Sequence, residues 1–152
     1  MQIFDDDYNQ LKAFIALYSE KYRDLTTTPS HLHPTSLLER AEKANPEQAV
    51  NGVLTEINRI IEGSFNWSAG MVAEFEAALK EKGIISLGEL QKNFSKEYKA
   101  IIKRGEIKTR VEYYMAKDLV SNDESIASAE EREMLEDMMV VFEEAEVVDR
   151  LK

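Results

Sequence analysis

His31 and His33 are the residues of this sequence best suited to bind a metal ion, and they stand two positions apart. In an extended segment, side chains two residues apart point to the same side, so the pair could supply two ligands. A structural zinc site needs four ligands, and the sequence has no cysteine and no third histidine to complete it. We therefore predict a solvated loop here and no metal site.

Acidic side chains are the other candidates for chemistry, because two carboxylates can act as general acid and general base. The 29 Asp and Glu residues make chance pairs common, but they fall mainly on the polar faces of predicted helices, where ordinary ionisation is expected. The sequence contains no Glu-x-x-His pair for a di-iron bundle and no glycine-rich loop that could cradle a phosphate. It therefore predicts a protein that is not an enzyme and binds no cofactor.

Aromatic and charged residues are the candidates for contact with a protein partner. Tyr113 and Tyr114 are neighbours on a predicted helix and point about 100° apart, so one can pack inward while the other faces a partner. Packing of both rings in the core is the alternative, and Trp67 leaves the same two interpretations open. The predicted partner-binding residues are Trp67, Arg104, Tyr113, Tyr114, Glu130, Glu133, Glu136 and Asp137.

The net charge of −10 is distributed unevenly along the chain. Residues 1–79 carry a net charge of −6, residues 80–117 carry +5, and residues 118–152 carry −9. Such a surface should attract cationic partners and repel the phosphates of nucleic acids, and salt should weaken both effects. Solubility alone is the alternative interpretation of the acidic surplus.

Apolar residues recur at steps of three and four through most of the chain, and glycine and proline are rare, which together predict helices. Gly83 and Gly105 follow two of these segments where a left-handed residue is wanted. Residues that can cap helix N-termini stand before five of them: Asn45, Ser68, Ser86, Thr109 and Ser128. The segment around Gly105 is therefore interpreted mainly as a corner between two helices. The predicted helices cover residues 5–24, a short stretch around 37–41, 46–63, a stretch between Ser68 and Gly83, 87–104, 110–120 and 129–147.

A chain of 152 residues fits one domain with a sizeable core. We predict an all-α fold over residues 1–152, a single compact bundle of six to seven helices in orthogonal packing, with 26–36 as the longest irregular segment. The lack of cysteine fits a reducing compartment, the acidic start MQIFDDD does not look like a signal peptide, and the apolar runs are too short to span a bilayer. A cytoplasmic protein without membrane contact is expected.

Six short motifs follow one another along the chain: His33-Pro34, Asn45-Pro46-Glu47, Leu87 to Leu90, Arg104-Gly105-Glu106-Ile107, Glu112-Tyr113-Tyr114 and Phe142-Glu143. In this order they resemble a group of small uncharacterised bacterial all-helical proteins. The resemblance covers about residues 33–143. It implies a bacterial, all-helical protein and transfers no activity and no catalytic residue.

The last predicted helix, 129–147, combines methionines with many carboxylates, a composition that fits a decoy for a basic protein. The predicted function is a non-catalytic acidic protein-binding domain that inhibits or shields a basic partner stoichiometrically. Immunity proteins that neutralise cationic toxins are the analogy, which rests on charge and size alone.

Two other functions stay open at this point. One is a helix-turn-helix DNA-binding regulator using residues 87–120, where the positive segment lies. Glu112, near the start of its recognition helix, and the overall charge count against nucleic acid as a partner. The other is a homo-oligomeric structural module, which a concentration-dependent mass would reveal.

Overall fold

The computed structural model describes residues 5–23, 34–122 and 125–150. Within these ranges the chain forms seven α-helices and no β-strand, so the all-α prediction is confirmed. None of these helices has the length and apolar composition that crossing a membrane requires. The helices are α1 (Asp5–Tyr22), α2 (Pro34–Ala44), α3 (Pro46–Ser64), α4 (Ala69–Glu81), α5 (Leu87–Arg104), α6 (Arg110–Ser121) and α7 (Ala129–Arg150).

The helix ends differ little from the predicted ones. α5 has the predicted bounds, α1 ends slightly earlier, and α7 continues past the predicted end at 147 to Arg150. The prediction of an irregular segment over 26–36 is wrong at its end, because residues 34–36 form the first turn of α2. Pro34 fits there, since proline at the first helical position loses no needed hydrogen bond. The rest of that segment, with His31 and His33, lies outside the described residues.

Side-chain caps start several helices as predicted. The hydroxyl of Ser68 accepts a hydrogen bond from the Met71 N–H at 3.2 Å, and Asn45 Oδ1 accepts from the Gln48 N–H at 3.2 Å. The capping box before α7 is complete: Ser128 Oγ accepts from the Glu131 N–H at 3.1 Å, and Glu131 Oε1 accepts from the Ser128 N–H at 2.9 Å. These bonds satisfy amides that the helix itself leaves without a partner.

The chain forms two compact units, and the first consists of residues 1–57 and 68–89. Its core is aromatic: the fully buried rings of Phe14 in α1 and Phe75 in α4 meet edge to face, with centroids 5.2 Å apart. Tyr22 approaches the same Phe75 ring at 5.6 Å. α2 is held to α1 by polar contacts instead, since the Glu42 carboxylate accepts hydrogen bonds from Tyr8 Oη and Lys12 Nζ, both at 3.1 Å.

The second unit consists of residues 58–67 and 90–152, and here α6 packs along α7. Phe94, Ile101, Met115, Leu119 and Leu135 are almost completely buried and form its core. Polar bonds join the end of α3 to the rest of this unit: Gln91 Nε2 donates to Ser64 Oγ at 3.0 Å. A single bundle with orthogonal packing stays a prediction.

Candidate protein-binding groove

The corner between α5 and α6 is held together by its own residues. Gly105 adopts φ +78°, the left-handed conformation that ends α5. The Arg104 guanidinium donates to the Glu106 carbonyl through Nε at 3.0 Å and Nη2 at 2.7 Å, and Nη2 also lies 2.6 Å from Glu112 Oε1. Glu112 Oε1 in turn accepts from the Lys108 N–H at 2.8 Å. Arg104, a predicted partner-binding residue, therefore serves the corner through these bonds.

The corner also contributes one wall of a groove on the second unit. Ile107 points from the corner into this unit and is 5% exposed. The groove has a volume of about 220 Å³ and is open to solvent, and its opposite wall is α7. Its lining residues are Gly105, Glu106 and Ile107 of the corner and Asp137, Met138, Val141, Phe142 and Ala145 of α7.

Exposed apolar side chains extend the groove along α7. Met134, Val141 and Val148 are 42%, 62% and 53% exposed. They follow one another at intervals of seven residues, which nearly completes two turns, so they share one flank of the helix. Single exposed apolar residues are normal on a protein surface, but a row of them beside a groove is typical of an interaction site.

The acidic residues predicted to bind a partner divide between two flanks of α7. Asp137 lines the groove, and Glu130, seven residues earlier, lies on the same flank. Glu136 is five residues before Val141, so its direction differs by about 140° and it points away from the groove. Glu133 lies between these two directions, and all four side chains are exposed.

The two neighbouring tyrosines of α6 have different surroundings. The Tyr113 ring stacks on Phe142 of α7, with centroids 5.4 Å apart and an interplanar angle of 24°. Burial, with the nearby Glu143 carboxylate, raises the pKa of Tyr113. The rings of Tyr114 and Tyr113 meet edge to face, with centroids 5.5 Å apart, and Tyr114 is 41% exposed. One ring thus packs against α7, and the other is open to solvent.

Trp67 lies outside the groove. It follows α3 in a turn in which its N–H donates to the Ser64 carbonyl at 3.1 Å, and its side chain is half-buried. The structure therefore does not place Trp67 with Asp137 and the apolar row of α7.

One buried carboxylate of the second unit lies away from the groove residues. Glu62 is 9% exposed, and its Oε1 accepts a hydrogen bond from Asn122 Nδ2 at 2.8 Å. Burial raises the pKa of Glu62, the bond from Asn122 opposes this shift, and the charge of Asp118 adds to it. In the described ranges no three or more His, Asp or Glu residues are grouped so that they could hold a metal ion.

Of the residues that line the groove, Asp137 alone belongs to the predicted partner-binding residues. Val141, Ala145 and Glu106 are not among them. The sequence did contain a signal for the apolar row beside the groove. Met134, Val141 and Val148 recur every seven residues, and this spacing differs from that of the buried face of α7.

Comparison of the chain with protein-family models, with curated proteins and with solved structures finds no match in any of the three. The resemblance to small bacterial helical proteins stays a prediction.

Proposed function

We propose that this chain is a non-catalytic protein-binding domain with a basic protein as its partner, and that α7 and the α5–α6 corner form the binding surface. The observation that carries the proposal is the apolar groove with Asp137 on its edge. α7 contains nine acidic and two basic residues, so a cationic partner would be attracted to it and a wrong, acidic one repelled.

A stoichiometric inhibitor is the specific form of this function that we favour. A small helical domain can cover the active surface of a larger basic protein without chemistry of its own, and its acidic field speeds the encounter. The lack of cysteine supports the cytoplasm as the compartment where this occurs.

The helix-turn-helix alternative is supported less well by the contacts of α6. Met115, Ala116 and Leu119 of this helix are buried in the second unit. Arg104 and Glu112, at the two sides of the turn, form an ion pair, so Arg104 would have to give up this pair to contact a phosphate. The homo-oligomeric module is the remaining alternative, and a mass that depends on concentration without any foreign partner would reveal it.

The test is capture from an extract of the native host on the immobilised chain at low ionic strength, followed by elution with salt. We expect a basic protein that elutes with salt and, once purified, rebinds with one-to-one stoichiometry. Asp137→Asn should weaken this binding more than the matched variant Glu136→Gln, because only Asp137 lines the groove. Recovery of nucleic acid alone, or a concentration-dependent mass without any foreign partner, would contradict the proposal.

A further inference from the structure

α7 carries a seven-residue repeat on the side that faces the groove. Apolar residues stand at alternating steps of four and three, which is the spacing of the a and d positions of a coiled coil. Met138 and Ala145 occupy a, and Met134, Val141 and Val148 occupy d. This apolar seam is about 21 Å long, because each helical residue adds about 1.5 Å.

The two sides of the seam differ. Two of the e positions, Leu135 and Phe142, pack against the second unit itself: Leu135 is fully buried, and Phe142 stacks on Tyr113 beside the groove. The g positions are all acidic and all exposed, and they are Glu130, Asp137 and Glu144. One side of the seam is therefore already used for packing, while the other has a carboxylate every seven residues.

We propose that the occupant of this groove is an α-helix of the partner with apolar residues at heptad spacing and Lys or Arg beside them. An apolar face laid in the groove would cover the seam and touch Ile107 on the opposite wall. Basic residues repeated every seven positions would face Glu130, Asp137 and Glu144, and such flanking pairs select the partner in coiled coils. The inference rests on the proposed function and specifies its partner.

A second copy of the chain fits this surface less well. In an antiparallel pair of α7 helices, the acidic g positions of the two copies would face each other and repel. In a parallel pair, the g positions would need the e positions of the other copy, but Leu135 and Phe142 are packed in their own unit. Charge and packing thus favour a basic helix of another protein.

The corner wall of the groove carries charges of both signs. Arg104 is paired with Glu112, and Lys108 is exposed next to Ile107. Glu106 lies between them and lines the groove. The corner side is therefore of mixed charge, and the acidic edge belongs to the α7 side, so a basic helix would place its cations toward α7.

The experiment measures the binding of two synthetic cationic peptides by fluorescence anisotropy. One is a three-heptad helix with Leu at a and d and Lys at e and g, and the other is an oligolysine with the same number of lysines. We expect the Leu/Lys helix to bind at least about tenfold more tightly, a difference of about 1.4 kcal/mol. A Leu/Glu helix of the same pattern should not bind.

Two neighbouring valines supply the matched variants. Val141 lines the groove at a d position, whereas Val140 is similarly exposed but lies about 100° around the helix. Val141→Lys should lower the affinity for the Leu/Lys helix by about tenfold or more. Val140→Lys, which makes the same change of charge, should lower this affinity much less. Both variants should keep the circular dichroism and melting temperature of the parent, since both side chains are exposed.

Three results would overturn the helix inference: equal affinity for oligolysine and the Leu/Lys helix, equal effects of the two valine variants, or no binding of the Leu/Lys helix at all. Each of these leaves the proposed function standing if a basic protein is still captured from the host. The proposed function fails separately, when no basic protein is captured.

Discussion

The corner after α4 and the corner after α5 are built from the same residue types. Gly83 ends the first with φ +68°, and Gly105 ends the second with φ +78°. A hydroxyl then starts the next helix in both: Ser86 Oγ accepts from the Glu89 N–H at 3.2 Å, and Thr109 Oγ1 accepts from the Glu112 N–H at 3.1 Å. The local chemistry of the two turns is nearly identical.

The first corner belongs to the first unit and the second corner to the second unit, and the residues around the two corners differ. In the first corner, Gln10 of α1 donates to the Gly83 carbonyl at 3.3 Å and accepts from the Ile85 N–H at 2.7 Å. Glu76 of α4 accepts from the Leu87 N–H at 2.5 Å. The second corner is bound by its own Arg104 and Glu112 and borders the groove. The same turn is covered by other helices in one place and lines an open groove in the other.

The largest expected effect concerns Ile107, the apolar anchor of the second corner. Ile107→Ala removes a buried side chain and leaves a cavity, so the free energy of unfolding should fall by about 2–5 kcal/mol. Ile85→Ala, at a half-buried position of the first corner, should cost less. Chemical denaturation measures both, and equal losses would show that the second corner is not anchored by Ile107.

Gln10 is the matching test of the first corner. Gln10→Ala leaves the partly buried Ile85 N–H without its acceptor and should cost about 1–3 kcal/mol. Gln10→Glu keeps an acceptor for that N–H and loses only the bond to the Gly83 carbonyl, so its cost should be smaller. If both substitutions leave the denaturation midpoint unchanged, Gln10 does not hold this corner.

The two glycines should respond alike, because they share the local geometry. An added Cβ meets no atom within 4 Å at either position, so only the left-handed backbone opposes it. Gly83→Ala and Gly105→Ala should each cost about 1–2 kcal/mol, and the Asn variants less. Thermal unfolding of the four variants checks this, and costs that differ widely between the corners would contradict a shared local origin.

A smaller, pH-dependent effect comes from the buried carboxylate of Glu62. Because burial raises the pKa of Glu62, the folded state retains its proton to a higher pH than the unfolded chain. Stability should therefore fall as pH rises from the ordinary value of 4.5 through the raised one. Glu62→Gln should remove that part of the pH dependence in denaturation curves recorded across this range. An unchanged slope would exclude Glu62 as its source.

The helices were predictable because their signals are local. The capping residues Ser68, Thr109 and Ser128 and the left-handed Gly83 and Gly105 act within a few residues, and all are found in these roles. The bonds of Gln10 to residues 83 and 85 were not predictable, since only tertiary packing brings residues so distant in sequence together.

The groove could be predicted only in part. Asp137 was singled out from the sequence and lines the groove, whereas Tyr113 and Tyr114, which were also singled out, lie on α6 and are not among the lining residues. Which flank of α7 is buried depends on how α6 packs against it, so the exposed row with Val141 and the opposite wall at Ile107 could not be derived from periodicity alone.

Whether the groove binds a helix is tested most directly by the perturbation of amide NMR signals when the Leu/Lys helix is added to the isotope-labelled chain. We expect shifts concentrated at residues 105–107 and along α7 from Met134 to Val148, with α1 and α2 unchanged. Shifts concentrated in α1 and α2, or spread evenly over the acidic surface, would contradict this expectation.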